Sequence, residues 1–151
     1  MRLTTKCSIA LHCLIVIYEY EPKRKVTSDL LGKSTGCNAA AVRSILNSLQ
    51  KAGIISVSRG VGGAHLNCIP SDLTVWDVYH AVEPNGLEHF IGVHPRPSHI
   101  CPVGHNIDTI LSKTYTEIGN SVRQTMQNIT LQDLLNNYHI CLENQPKQTE
   151  L

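Results

Sequence analysis

One cysteine of this chain lies among three histidines, in a segment whose residue types could bind a metal or react with an oxidant. Cys101 is preceded by His94 and His99 and followed by His105. Thiolate and imidazole are the usual protein ligands of zinc, and the C-x-x-x-H spacing of Cys101 and His105 is acceptable for it. Histidines that only share a loop are a weak signal, so a metal site at His99, Cys101 and His105 is a minor alternative.

Oxidation of Cys101 is the better motivated chemistry. A helix is predicted to start just after it, and the dipole of a helix N-terminus lowers the pKa of a thiol. A symmetric dimer could bring two copies of this thiol together, or place it near another one. A structural cysteine, and a linker cavity for a ligand or protein partner, are the open alternatives. The six cysteines form no C-x-x-C pair, and reduced thiols are expected in a cytosolic chain.

The segment that carries Cys101 separates two helical regions. Residues 84–104 contain four prolines, three glycines and three histidines, and helical periodicity is lost there. A long helix is predicted at 106–127. Its apolar and small residues lie four and three positions apart, and such a seam needs a partner such as a second subunit. The seam consists of Ile107, Leu111, Thr114, Ile118 and Ser121, with Ile110 and Val122 beside it.

The region before the linker predicts three helices, of which the last two form a helix-turn-helix. After a first helix at about 4–20, Thr27 or Ser28 caps a second helix, residues 32–36 form the turn, and Asn38 caps a third helix at 38–52. One face of the third helix is an apolar stripe of Val42, Ile45, Leu46 and Leu49. The other face suits entry into a DNA groove, because it carries Ala40, Arg43, Ser44 and Asn47.

A glycine-rich hairpin follows the third helix. Alternation at Ile55, Val57 and Arg59 predicts a strand, and Gly60, Gly62 and Gly63 predict a sharp turn before a returning strand. Helix, turn, helix and a basic-tipped hairpin are the layout of a winged helix-turn-helix. The predicted fold is therefore mainly α with a small β-wing, a winged helix-turn-helix domain followed by a long dimerisation helix.

Two further helices are predicted from capping patterns. Thr74 with Asp77 opens a helix that ends near Glu83, and Thr130 with Asp133 opens a short last helix. The predicted organisation is a DNA-binding domain at 1–83, a linker or sensor loop at 84–105, the dimerisation and C-terminal helices at 106–142, and a disordered tail at 143–151.

Charge is distributed unevenly along the chain. The net charge is only +1, but residues 1–66 contain nine basic and three acidic residues, and residues 67–151 contain four basic and nine acidic ones. A basic half that also carries the helix-turn-helix pattern favours a nucleic-acid surface there. No apolar run approaches the roughly 20 residues that span a bilayer. The first residues do not resemble a signal peptide, so a cytoplasmic protein with no membrane partner is expected.

An enzyme is the main competing class. Residues 60–63 could be taken for a phosphate loop, but they lack the G-x-G-x-x-G motif and no Lys-Ser/Thr pair follows them. No serine stands in a nucleophile-elbow context, so no catalytic residues are assigned. A DNA-independent interaction module is a further alternative, and salt-dependent binding to promoter DNA would separate these classes.

Several short motifs, in this order and spacing, resemble the IscR/NsrR/CymR-type bacterial regulators of the Rrf-two family. The resemblance covers residues 1 to about 138, and residues 38–43 and 101–104 look most like its cluster-free branch. The motifs are Met1-Arg2-Leu3-Thr4, Lys51-Ala52-Gly53-Ile54-Ile55, Arg59-Gly60-x-Gly62-Gly63, Val-x-x-Ala-Val-Glu at 78–83, Cys101-Pro102, and Ile129-Thr130-Leu131-x-Asp133-Leu134-Leu135.

The resemblance implies a homodimeric transcription factor, expected to be a repressor, that binds a pseudo-palindromic operator in double-stranded DNA. The third helix would contact the major groove, the wing arginine the minor groove, and the long helix the partner subunit. The matching positions are Asn38, Ala39, Ala40, Arg43 and Asn47 for the groove, Arg59, Gly60, Gly62 and Gly63 for the wing, and Ile107, Leu111, Thr114, Ile118 and Val122 for the dimer.

The linker departs from the family pattern in its cysteines. Members that bind an iron–sulfur cluster carry three closely spaced cysteines there, whereas this linker has only Cys101. Clusters need roughly four ligands, mostly thiolates, so no cluster or other cofactor is expected. The signal would then be redox, sensed at Cys101, or alternatively a metal or ligand bound by the His and Cys residues of 94–105.

Overall fold

The computed structural model describes residues 5–58, 63–87 and 91–145. This part of the chain forms six helices and one two-stranded antiparallel sheet, which confirms a mainly α fold with a small β-hairpin. The elements are α1 (Lys6–Tyr20), α2 (Ser28–Thr35), α3 (Ala39–Lys51), β1 (Ile55–Val57), β2 (Ala64–Leu66), α4 (Val75–Val82), α5 (Pro102–Gln127) and α6 (Leu131–Glu143).

Helices α1, α3 and α4 pack around a shared apolar core. The predicted stripe of α3 is confirmed, since Val42, Ile45, Leu46 and Leu49 are all buried. Burial of such side chains stabilises the fold by about 1.5–3 kcal/mol each. Their partners on α1 are the buried residues Ala10, Cys13, Leu14, Val16 and Ile17.

Two N-terminal helix boundaries differ from those predicted. Helix α1 begins at Lys6, whereas its predicted start was at about residue 4. The predicted turn at 32–36 is wrong, because α2 continues to Thr35 and Gly36 is the residue that adopts a left-handed conformation, with φ of 70°. Gly32 is buried inside α2, where a Cβ would lie 2.9 Å from the carbonyl oxygen of Cys37. This glycine therefore allows α2 to approach the start of α3 closely and does not form a turn.

Strands β1 and β2 pair in the register Ile55↔Leu66, Ser56↔His65 and Val57↔Ala64. The strand predicted through Ile55 and Val57 is confirmed, whereas Arg59, Gly60 and Gly62 lie outside the described residues. The N–H of Ala64 also donates to the carbonyl oxygen of Val26, at 3.0 Å. This hydrogen bond attaches the hairpin to the segment between α1 and α2.

Helix α5 begins earlier than predicted, at Pro102. Proline suits the first position of a helix, because its fixed φ is already helical and its missing N–H would have no partner there. Residues 102–105, predicted as part of the linker, are therefore helical, and His105 lies in the first turn. Helix α4 starts as predicted, with a capping box formed by Thr74 and Asp77.

Helix α6 packs back onto the N-terminal core. The predicted capping box of Thr130 and Asp133 is present, but the helix continues to Glu143, where a disordered tail was predicted to begin. The N–H of Leu131 donates to the carbonyl oxygen of Leu73 at 2.8 Å, which joins the start of α6 to the start of α4. Leu131 and Leu135 are buried in the core.

The predicted four-part domain division stays a prediction, although its third part, 106–142, shares a core with its first through Leu131 and Leu135. Residues 146–151 of the predicted tail lie outside the described residues. Within the described ranges, no helix combines the length and apolar character needed to cross a membrane.

Candidate DNA-binding surface and linker site

Side-chain hydrogen bonds cap the first turn of each of the two helices α2 and α3. Thr27 Oγ1 accepts from the N–H of Leu30 at 3.2 Å, and Asn38 Oδ1 accepts from the N–H of Ala41 at 2.8 Å. Both are N-caps that satisfy a backbone donor at the start of a helix. The cap at α3 uses the side-chain oxygen of Asn38 and leaves its NH₂ group as a donor.

Helix α3 presents a face of small and polar side chains to solvent. Of the predicted groove residues, Asn38, Ala40, Arg43 and Asn47 are exposed, and Ala39 is half-buried at the first helical position. Ala41 and Ser44 are exposed as well, and Ala41 was not among the predicted contacts. The structure therefore brings four of the five predicted groove residues to the surface of one helix.

The charge on this face is positive. Helix α3 contains no acidic residue. Within the described ranges, no carboxylate forms an ion pair with Arg43. An exposed guanidinium without an internal partner is available to phosphate oxygens or to the O6 and N7 acceptors of guanine.

Glu21 holds the wing against the end of α1, a role that no sequence pattern indicated. Its Oε1 lies 2.6 Å from His65 Nδ1, and its Oε2 accepts a hydrogen bond from the N–H of Leu66 at 3.3 Å. Gly63 packs at the same junction, since a Cβ there would lie 2.7 Å from the carbonyl oxygen of Val26. The need for glycine at 63 therefore comes from close packing, and the hairpin base is positioned by contacts 44 residues apart in sequence.

Cys101 is exposed at the N-cap position of α5. The backbone N–H groups of Gly104 and Val103 lower the pKa of its thiol, because they favour the thiolate. Burial has the opposite effect elsewhere: it raises the pKa of Cys7 and Cys68, and raises that of Cys13 to about 12. Of these four thiols, Cys101 is the one whose surroundings favour reaction.

The histidines beside Cys101 do not converge on a common point with it. The ring centroids of His99 and His105 are 6.2 Å apart in an edge-to-face arrangement. Across residues 5–58, 63–87 and 91–145, no group of three or more His, Cys, Asp or Glu side chains is placed to hold a metal ion. The alternative of a metal site at His99, Cys101 and His105 thus has no preformed ligand set in this part of the chain.

The predicted dimerisation seam lies along one flank of α5, with an inner and an outer edge. Ile107, Leu111 and Val122 are half-buried, whereas Thr114 and Ile118 are exposed. The outer edge, where Ile118 is 37% exposed, also includes two further exposed apolar side chains, Val103 at 62% and Ile110 at 54%. Contiguous exposed apolar surface of this kind is typical of protein–protein contacts.

Comparison with known proteins gives a consistent result across the chain. A family model described as "Rrf2: Iron-dependent Transcriptional regulator" matches residues 3–137. The Bacillus subtilis (strain 168) protein YwnA, named as a candidate HTH-type transcriptional regulator, is 30% identical over 134 residues, which cover 89% of this chain and 97% of YwnA.

Solved structures agree with the winged-helix interpretation of the fold. A crystal structure of a candidate transcriptional regulator from Lactobacillus plantarum is similar with a TM-score of 0.75 and 26% identity, covering 94% of this chain and 97% of that one. CymR, the global cysteine regulator of B. subtilis, is similar in fold, with a TM-score of 0.66 and 17% identity over 90% of this chain and 97% of that one.

The thiolates available between residues 84 and 105 do not fit an iron–sulfur cluster. An iron–sulfur cluster needs about four ligands, mostly thiolates. Residues 84–105 supply one cysteine, and no metal-holding group of side chains occurs among the described residues. Two subunits would together offer two copies of Cys101, which is too few thiolates for a cluster of the usual kind.

Proposed function

The chain belongs to the Rrf2 family of transcriptional regulators, and from that premise we propose that it is a cytoplasmic, homodimeric repressor that binds a pseudo-palindromic operator. It is a DNA-binding regulator and not an enzyme. In a symmetric dimer, two copies of α3 would enter successive major grooves about 34–36 Å apart. Arg59 of each wing would enter the adjacent minor groove, where a narrow groove attracts arginine.

The exposed face of α3 is the observation that carries this proposal. Arg43 supplies charge and bidentate donors, and Asn38 and Asn47 supply amide groups that can pair with base edges. Ala40 offers only a methyl group, which suits contact with the methyl of thymine. With so few base-directed donors, much of the affinity would come from phosphate contacts made by the basic N-terminal half.

The operator can be found and the DNA-binding face tested together. Fragments of genomic DNA bound by the purified protein would be selected and sequenced, starting with the promoter of its own operon, and tested by gel shift at several salt concentrations. We expect two half-sites about one helical turn apart and affinity that falls steeply with salt.

Variants then assign the contacts. Arg43→Ala and Arg59→Ala should each weaken operator binding by about tenfold or more, since one bidentate contact is worth about 1–3 kcal/mol. Lys113→Ala, which removes an exposed positive charge from α5, is the matched control and should leave binding within twofold. Unchanged affinity of both arginine variants would contradict the assignment of α3 and the wing.

Oxidation of Cys101 is the proposed inducing signal. The exposed thiol with a lowered pKa lies where the linker enters the long helix, so a disulfide or other oxidised form there would change how the two subunits are placed. Peroxide or diamide should therefore release the wild-type protein from its operator. Cys101→Ser should bind DNA normally and no longer respond, whereas Cys141→Ser, at the other exposed cysteine, should respond like the wild type. A Cys101→Ser protein that is still released would exclude this sensor.

A further inference from the structure

A cavity of about 620 Å³ lies between α4, α5 and the linker residues Pro84, Leu87 and 91–93. Its size is in the range of small-molecule sites in proteins, about 300–1,000 Å³. Apolar and aromatic side chains form much of its wall, among them Leu87, Ile91, Val93 and Tyr115. Gly119 of α5 faces the same space and contributes no side chain to fill it. The cavity therefore has room for an apolar body of moderate size beside its polar wall.

Trp76 organises the polar side of this cavity. The guanidinium carbon of Arg123 lies 4.9 Å from the centre of the Trp76 ring, and the ring of His80 stacks on Trp76 at 5.6 Å with an angle of 20° between the planes. An arginine stacked on an aromatic face keeps the N–H donors at its edge free for a ligand. Trp76 thus holds the cationic group of Arg123 in place at the cavity wall.

The charge balance of the cavity favours an anion. Within the described ranges, no carboxylate forms an ion pair with Arg123. Glu83, which also lines the cavity, already pairs with Lys6 at 3.2 Å. Among the described residues, the guanidinium is therefore a cation without an ion-pair partner, at the edge of a space that has both apolar and polar walls.

We propose that this cavity binds a small organic monocarboxylate with an aromatic or branched apolar body. The carboxylate would accept hydrogen bonds from the guanidinium edge of Arg123, as planar arginine prefers. The apolar body would lie against Tyr115 and the linker residues Ile91 and Val93. Binding itself does not depend on the proposed regulatory function, because it needs only the cavity of one chain.

The cavity and the apolar seam occupy different flanks of α5. Successive residues of an α-helix are rotated by about 100°, so Thr116 on the cavity wall and Ile118 on the seam project about 200° apart. The two Ile side chains of the outer seam, Ile110 and Ile118, do not line the cavity. A partner subunit that covers the seam would therefore leave the cavity wall of α5 uncovered.

The chain carries its own reporter for the test, because Trp76 is its single tryptophan and lines the cavity. Benzoate, phenylacetate and isovalerate would be titrated into the full-length protein without DNA, with Trp76 fluorescence and calorimetry as independent readouts. Phenylacetamide and acetate are the matched probes that lack the charge and the apolar body, respectively. We expect saturable binding of at least one larger acid, with a dissociation constant of about 1 mM or tighter.

Variants locate the carboxylate contact. Phenylacetamide should bind wild type at least tenfold more weakly than phenylacetate, since a hydrogen bond to a charged group is worth roughly that much. Arg123→Gln should remove this preference, Arg123→Lys should retain part of it, and Lys113→Gln should leave it unchanged. Gly119→Leu should block acid and amide alike, because its side chain would enter the cavity. The proposal is overturned if no larger acid binds saturably, if acid and amide bind equally well, or if Arg123→Gln binds like the wild type.

Discussion

The Nε2 atom of His139 in α6 lies 2.6 Å from the carboxylate Oε1 of Glu19 in α1, so this contact joins the last helix of the described chain to the first. Both side chains of this pair are partly exposed. The apolar contact that brings α6 against α1 is made by the buried Leu135, which lies one helical turn before His139. The bond thus fixes the orientation of a helix whose position depends on apolar contact.

Loss of this bond should loosen α6 without unfolding the chain. His139→Ala should lower the free energy of unfolding by about 1 kcal/mol, the usual net contribution of one hydrogen bond. Asn137→Ala, at an exposed position of the same helix, should change it by no more than about 0.5 kcal/mol. Urea denaturation of both variants measures the difference, and equal stabilities would show that the Glu19 contact does not hold α6.

Gly63 should not tolerate even a methyl group. Gly63→Ala should destabilise the fold by about 1–3 kcal/mol, because the added Cβ would lie 2.7 Å from the oxygen and 2.8 Å from the nitrogen of Val26. Gly92→Ala is the matched control, since nothing lies within 4 Å of a Cβ built there. Thermal and urea unfolding of the two variants would be compared. A Gly63→Ala protein as stable as Gly92→Ala would mean that the hairpin base does not pack tightly on Val26.

Ile118→Asp should convert the proposed dimer to a monomer or an aggregate. The exposed apolar edge at Ile118 would be buried between subunits, where a new carboxylate would have no partner. Thr116→Asp, an exposed position on the opposite flank of α5, should leave the dimer intact. Light scattering coupled to size-exclusion chromatography reports the mass of each. An Ile118→Asp protein that remains a stable dimer would place the interface elsewhere.

Cys101 should be the cysteine that iodoacetamide alkylates first, and Cys13 the last. The amides of Val103 and Gly104 lower the pKa of Cys101, so its reactive thiolate is populated at lower pH than in the unfolded chain. The pH profile of its labelling should therefore rise earlier in the folded protein than in urea. Cys13 should label only on unfolding, because burial raises its pKa to about 12. Mass spectrometry under limiting reagent follows each site, and slow labelling of Cys101 would remove the basis for its sensor role.

Features set by nearby residues were predictable from the sequence. The caps at Asn38, Thr74 and Thr130 are made by side chains that bond to backbone groups three residues away. The buried stripe of α3 follows from the helical period alone. The exposed, polar face with Arg43 follows in turn, because the opposite side of the same helix is committed to the core. Local hydrogen bonds and periodicity therefore determine where α3 begins and which of its faces is buried.

Other features were decided by contacts between distant segments. Gly32 is the type of residue that predicts a turn, yet it lies inside α2, where a glycine is needed because the carbonyl oxygen of Cys37 leaves no room for a side chain. Glu21 meets His65, and Trp76 meets Arg123, only because the helices bring them together, and neither pair has a characteristic spacing. Periodicity placed Leu135 on a helix but could not say what that helix packs against. Burial against another segment depends on the whole packed arrangement, so only the tertiary structure decided how the wing is held, where α6 lies and where a cavity is left open.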